Sequence, residues 1–190
     1  MYTNNFITIA ASAKKQIQKL LENKSQLLIS IDGRCASGKT TLAAYLQENF
    51  SCAVIHMDDF FLRPEQRTKK RLNEPGGNVD YERFFEEVIL PLKEKKAFSY
   101  RPYDCHSQCF KKSIQIDKNQ ITIIEGSYSA HPYFGDIYDL YIFLDVDKET
   151  QMERIRKRNG EIMAERFENL WIPLEEKYFS AFNIQEKNGV

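Results

Sequence analysis

The sequence has no surplus of either charge, since its 190 residues hold 27 Lys+Arg and 27 Asp+Glu. That balance removes the basic footprint expected of a general nucleic-acid binder. No apolar run approaches the ~18 residues needed to cross a bilayer. The opening Met1-Tyr2-Thr3-Asn4-Asn5 lacks the basic and apolar regions of a signal peptide. The four cysteines, Cys35, Cys52, Cys105 and Cys109, form no CxxC pair, so reduced thiols are expected rather than a zinc ribbon. Repeats, low-complexity tracts and a Gly/Ser linker are also missing, which leaves nothing to divide the chain. With 13% aromatic residues it does not read as a disordered solvating segment either. The expectation is one cytoplasmic domain over residues 1–190, without nucleic-acid or membrane partners.

What is present alternates between apolar runs and helical patterns. Strands are predicted over Gln26–Asp32, Ala53–Met57, Ile121–Ile124 and Leu140–Leu144. Helices are predicted over Ser12–Asn23, about Lys39–Asn49 and Lys148–Arg158. Another should be capped by Asp80, run through Phe84, Phe85, Val88 and Ile89, and be bent or ended by Pro91. The motif Trp171-Ile172-Pro173-Leu174 reads as a further helix start. Such alternation implies βαβ units, hence an α/β fold with a mainly parallel sheet and helices on both faces. Two stretches break it. Residues 59–79 read as a long polar loop with five basic residues, and 98–116 as a small antiparallel insertion on the substrate side.

The strongest motif is Gly33-Arg34-Cys35-Ala36-Ser37-Gly38-Lys39-Thr40, which fits G-x-x-x-x-G-K-[ST] at every fixed position. A chance match in a chain of this length is on the order of one in a hundred. Glycines at these two places allow a sharp turn out of a strand and close backbone approach to a phosphate. Lys39 supplies a charge for the β/γ-phosphates, and Thr40 a hydroxyl for Mg²⁺. Residues Gly33 through Thr41 are therefore the expected ATP cradle. No NKxD or LSGGQ-type signature points to a GTPase or a transporter ATPase.

The narrower signal is His56-Met57-Asp58-Asp59-Phe60-Phe61 at the end of the second strand. Ligands in open parallel sheets sit beyond the carboxyl ends of strands, so Asp58 should face the phosphates as a base or metal-side acid. Glu125, closing the strand 121–124, points into the same crevice. Arg154, Arg156, Lys157 and Arg158 crowd one helix, where a lid over about 151–166 would bring cations to the transferring group. Tyr100, Tyr128, Tyr133 and Phe134 are expected to pack in the core or in loops.

These motifs, GRCASGKTT, HMDDFF, GGNVDYERF, YRPYDC, IIEGSYS and ERIRKRNG, occur in an order that resembles the uridine kinase and phosphoribulokinase group of P-loop kinases. The resemblance runs from about Ile29 to Phe179. It implies a P-loop NTPase fold and ATP- and Mg²⁺-dependent phosphorylation of an alcohol on a small metabolite, a nucleoside being the type case. By motif position it assigns Asp58 as general base, Thr40, Asp58 and Glu125 to the metal, Asp80 to the ribose hydroxyls, Tyr103 to the nucleobase, and Arg154 and Arg158 to the lid. His106 is the histidine offered for the base, but it comes earlier than the family pattern has it, after Cys105 where a phenylalanine is expected. Gln151 and Asn159 stand where lid Arg and Asp residues are expected, and Phe61 where a tyrosine is. The resemblance also implies a closing apolar strand, for which the residues after Phe182 offer no run. It leaves room for a homo-oligomer. Other acceptors (a sugar, vitamin or riboside alcohol) stay open, as does a nucleotide-sensing protein without turnover.

Overall fold

The computed structural model describes residues 4–189. Met1–Thr3, part of the stretch read above for a leader, and Val190 lie outside the described residues. Helix α1 (Asn4–Leu21) begins eight residues before the predicted Ser12, because Phe6, Ile9 and Ala10 extend the apolar stripe of Ala13 and Ile17 upstream. It leads to β1 (Leu27–Gly33), the phosphate-loop motif, α2 (Lys39–Asn49) and β2 (Cys52–His56).

The segment predicted as a loop over 59–79 is partly structured. It holds 3₁₀ turns at Met57–Phe60 and Pro64–Gln66 and the short α3 (Lys69–Asn73), capped by Thr68. Phe61 bridges to Val79, so the segment closes on itself. Asp80 then caps α4 (Tyr81–Phe84) by accepting the Arg83 N–H at 3.2 Å, as its position predicted.

Pro91 does not end this helix. A π turn over Phe85–Ile89 widens it, with the Leu90 N–H bonded back to Phe85 O, and α5 (Leu90–Lys93) carries the proline. Widening by one residue lets the pyrrolidine ring clear the preceding turn.

The insertion is antiparallel, as predicted. Strand β3 (Phe98–Tyr100) pairs with β6 (Ile114–Ile116), and β4 (Tyr103–Asp104) with β5 (Cys109–Phe110). The core sheet is completed by β7 (Ile121–Glu125) and β8 (Leu140–Leu144). Its order is β2-β7-β1-β8, all parallel.

Beyond β8 come α6 (Lys148–Asn159), α7 (Glu161–Arg166), a second π turn at Phe167–Trp171 and α8 (Ile172–Phe182). Trp171 therefore lies inside a helix rather than at its start, and the Ile172 N–H bonds Phe167 O just before Pro173. Among the described residues no further strand covers the β8 edge. There the Gly189 N–H donates to Tyr141 O at 2.9 Å, and Asn188 Oδ1 accepts the Phe143 N–H at 3.1 Å.

Alternation along the strands sorts side chains into two cores. Leu27, Ile29, Ile31, Ile121, Ile123 and Ile142 pack under α1 and α2. Ile55, Ile124, Leu28 and Phe143 face the other side, with Phe84, Val88, Tyr178 and Phe179. The register sets Glu125 beside both Ile31 and His56, and Gly33 beside Leu144. That puts the carboxyl ends of β1, β2 and β7 at one rim. No helix among the described residues is long and apolar enough to cross a membrane.

Candidate active site

The rim begins with Gly33, at φ 136°, so close to β8 that an added Cβ would lie 2.1 Å from Leu144 O. Gly38, at φ 103°, starts α2 without a side-chain cap, and an added Cβ there would meet nothing within 4 Å. The amides of the first turn of α2 thus remain exposed to an anion, with open space above them. Ser37 Oγ is buried without a partner in the same loop.

Lys39 is buried, and its ammonium donates to Gly33 O and Arg34 O, both at 2.8 Å, and to Ser127 Oγ at 3.3 Å. Thr40 donates its hydroxyl to Glu125 Oε1 at 3.2 Å. The same carboxylate oxygen lies 2.6 Å from His56 Nδ1. The hydrogen bond to Glu125 raises the imidazole's pKa above its ordinary value, which favours the charged ring.

Asp58 stands in the turn directly after β2, exposed on its outer side. Its pKa is raised, first by the protein around it and then by the like charges of Glu125 and Glu175, with Lys39 and His56 opposing. A carboxylate so shifted is a better proton acceptor than a free one. Hydroxyl and carboxylate oxygens from Thr40, Glu125 and Asp58 are the donor set of a hard divalent cation. No group of three or more His, Cys, Asp or Glu side chains among the described residues forms a self-contained cage. Magnesium held partly by nucleotide phosphates does not require one.

Several residues that brace the loop carried no sequence signal. Glu175, buried on α8, accepts the Cys35 N–H at 2.9 Å and the Ser127 hydroxyl at 2.7 Å. Its neighbour Glu176 pairs with Arg34 at 2.8 Å, and Asp145 meets the same guanidinium. Gln151, read as a departure from a lid arginine, is buried and donates to Cys35 O at 3.0 Å. Burial and Glu175 push the Cys35 thiol up to about 12, so it stays protonated and unreactive at neutral pH. Cys35 and Ala36 also pack against Met152 and Ile155 of α6.

The remaining expected residues divide. Arg154 reaches the loop, donating to Ala36 O at 2.9 Å. Arg158, one turn further, bonds Asn159 and lies 5.9 Å over Phe167 instead. Thr41 is exposed on α2. Asp80 is buried and accepts from Gln66 Nε2 at 2.8 Å besides capping α4. Tyr103 is only 5% exposed and meets Phe110 edge-on at 5.5 Å. His106 is exposed in the hairpin turn, where its backbone N–H bonds Asp104 Oδ1. Tyr100, Tyr128 and Phe134 are buried in the core, whereas Tyr133 is exposed.

No protein-family model matches the chain. A uridine kinase of Ureaplasma parvum is 29% identical over 145 residues, covering 70% of this chain and 69% of that protein. A dephospho-CoA kinase of Prochlorococcus marinus is 27% identical over 172 residues, covering 82% and 84%. A Bacillus stearothermophilus structure described as a possible uridine kinase superposes with a TM-score of 0.66 at 20% identity, over 94% of this chain and 98% of that one. That likeness shows the α/β P-loop NTPase fold. Both curated relatives carry the names of small-molecule kinases, one of them uridine kinase.

Proposed function

We propose that the chain is an ATP- and Mg²⁺-dependent phosphotransferase acting on an alcohol of a small metabolite. The observation that carries this reading is the meeting of Lys39, Thr40, Glu125 and Asp58 at the carboxyl ends of β1, β7 and β2. In it the loop Gly33–Thr41 and Lys39 hold the nucleotide phosphates. Asp58 orients the acceptor hydroxyl and takes its proton as the new O–P bond forms. Thr40, Asp58 and Glu125 hold Mg²⁺, which when bound neutralises charge on the phosphates. Arg154 supplies a cation from the lid over about 151–166, and Arg158 follows if α6 swings inward.

The relatives named uridine kinase make a pyrimidine nucleoside the first acceptor to test, with Asp80 and Tyr103 on its ribose and base. A second reading, another sugar, vitamin or riboside alcohol, is favoured by the exposed His106 and by Tyr103 packed on Phe110. The test is ADP formation from Mg-ATP over nucleosides, sugars and vitamin alcohols, with Asp58→Asn as control. Acceptor-dependent ADP that the control abolishes supports the kinase. Tight ATP binding with no acceptor-dependent ADP from any compound overturns it in favour of a nucleotide sensor.

A further inference from the structure

Glu125 reaches the rim at the end of β7, an inner strand held by β2 on one side and β1 on the other. Gly126 then donates its N–H to Ile31 O at 3.0 Å and passes so close to Met57 that an added Cβ would stand 2.8 Å from the Met57 Cβ. The backbone beneath Glu125 is thus fixed. Only the torsions of its side chain decide where the carboxylate points.

Two contacts on one oxygen set those torsions. Thr40 gives its hydroxyl to Oε1 at 3.2 Å, and His56 Nδ1 lies 2.6 Å from the same atom. An ionised carboxylate only accepts, so Nδ1 carries the hydrogen in this contact. Among the described residues no donor meets Oε2, and it is not one of the buried atoms that lack a partner. One oxygen is held by the protein and the other is left for a ligand.

His56 owes its place to register. It is the last residue of β2, paired with Glu125 across the parallel ladder, and it stands two residues before Asp58. Because β2 is the edge of the sheet, its side chain is 44% exposed against 6% for Glu125. An ion pair with so open a partner adds little to stability. Its consequence lies in the direction it imposes on a buried carboxylate at the phosphate rim.

The geometry points to His56 as a positioning residue for the divalent cation, holding Glu125 Oε1 so that Oε2 is presented to the metal or to one of its waters; this rests on the kinase reading above. His56 acts through Glu125 and does not itself touch the cation. A carboxylate turned in advance loses less torsional freedom when the cation arrives. Outer partners of this kind are worth about 10–100-fold in metal affinity.

The experiment uses Mn²⁺ as the probe and needs no acceptor. Free Mn²⁺ is followed by electron paramagnetic resonance while it is titrated into wild type, His56→Ala and His56→Asn, each saturated with ADP. Calorimetry with EDTA gives the affinity for ADP without metal. His56→Ala should bind Mn²⁺ ~10-fold more weakly or worse, while its metal-free ADP affinity stays within about twofold of wild type. The Asn amide places an N–H close to where Nδ1 stands, so His56→Asn should return to within ~3-fold of wild type. A loss in His56→Ala that appears equally in metal-free ADP binding, or that His56→Asn does not recover, overturns the positioning role.

A double-mutant cycle with Glu125→Ala tests whether His56 acts through the carboxylate. In that background His56→Ala should change Mn²⁺ affinity by less than about twofold. An equal loss in both backgrounds overturns the inference, because His56 would then act without Glu125. Wild type that binds Mn²⁺ with ADP beside an unchanged His56→Ala overturns the inference alone. Wild type that takes up neither ADP nor Mn²⁺ overturns the kinase reading with it.

Discussion

Glu175, 140 residues downstream on α8, accepts the backbone N–H of Cys35 at 2.9 Å and so ties the last long helix to the phosphate loop. The same carboxylate takes the Ser127 hydroxyl, whose oxygen faces Lys39. Replacing Glu175 by Ala leaves the Cys35 N–H without its acceptor, while the Ser127 hydroxyl keeps Gly33 O at 3.0 Å. One orphaned donor costs about 1–3 kcal/mol, so denaturant unfolding should show a loss of that size and the KM for Mg-ATP should rise. Glu175→Gln keeps an acceptor for Cys35 and should lose about half as much. Equal stability of wild type and Glu175→Ala would show that the tie does not hold the loop.

Gly33 is required by space as well as by conformation. At φ 136°, an alanine Cβ would sit 2.1 Å from Leu144 O, inside the β1–β8 ladder. Backbone cannot retreat there without breaking sheet pairing, so Gly33→Ala should destabilise by about 3 kcal/mol or more. Gly38→Ala meets no atom within 4 Å and faces only its φ of 103°, a cost of about 1–2 kcal/mol. Thermal melts of the two variants should fall in that order, and the reverse order would contradict the packing.

These two glycines were legible in the sequence because the phosphate loop has fixed spacing, and the strands because their runs of Leu, Ile and Val have a period. The hairpin over 98–116 was legible from its alternation and Pro102. The braces were not. Glu175, Glu176 and Gln151 meet Arg34 and Cys35 across more than a hundred residues of chain, and polar pairing at that range leaves no local pattern. Proline misled in both directions for one reason. Pro91 and Pro173 each follow a π turn that absorbs the missing N–H, so a residue read as a break or a start lies inside a helix.

Asp58→Asn tests the proposed base without removing the loop. The side chain makes no hydrogen bond to Lys39 or Thr40, whose partners are Gly33 O, Arg34 O, Ser127 and Glu125. Nucleotide binding should stay near normal while kcat falls ~10²-fold or more. Lys39→Ala should do the opposite first, weakening Mg-ATP binding as well as transfer. Isothermal titration separates the two, and an Asp58→Asn enzyme at full rate would remove Asp58 from the chemistry.

Two buried groups near the sheet should make stability depend on pH in opposite senses. Asp32 accepts Gly33 N, Tyr128 N, Ala130 N and the Tyr178 hydroxyl, yet burial outweighs these bonds and raises its pKa from 3.8 to about 6. The folded protein then binds the proton more tightly than the unfolded chain, so this group's contribution improves as pH falls from about 6 to 3.8. His131, stacked between Tyr81 and Tyr178, is pushed by burial from 6.5 down to about 4. Here the unfolded chain binds the proton more tightly, so stability is lost as pH falls from about 6.5 to 4. Each effect is worth about 3 kcal/mol, and in the wild type they largely offset one another. His131→Gln should therefore gain stability relative to wild type on acidification through that window, whatever its stability at pH 7. Asp32→Asn, with its amide facing N–H donors, should start about 2–4 kcal/mol lower and fall further behind as pH drops. Denaturant titrations of the three proteins between pH 7 and pH 4 check both signs, and parallel curves would show that neither group changes its protonation on unfolding in this range.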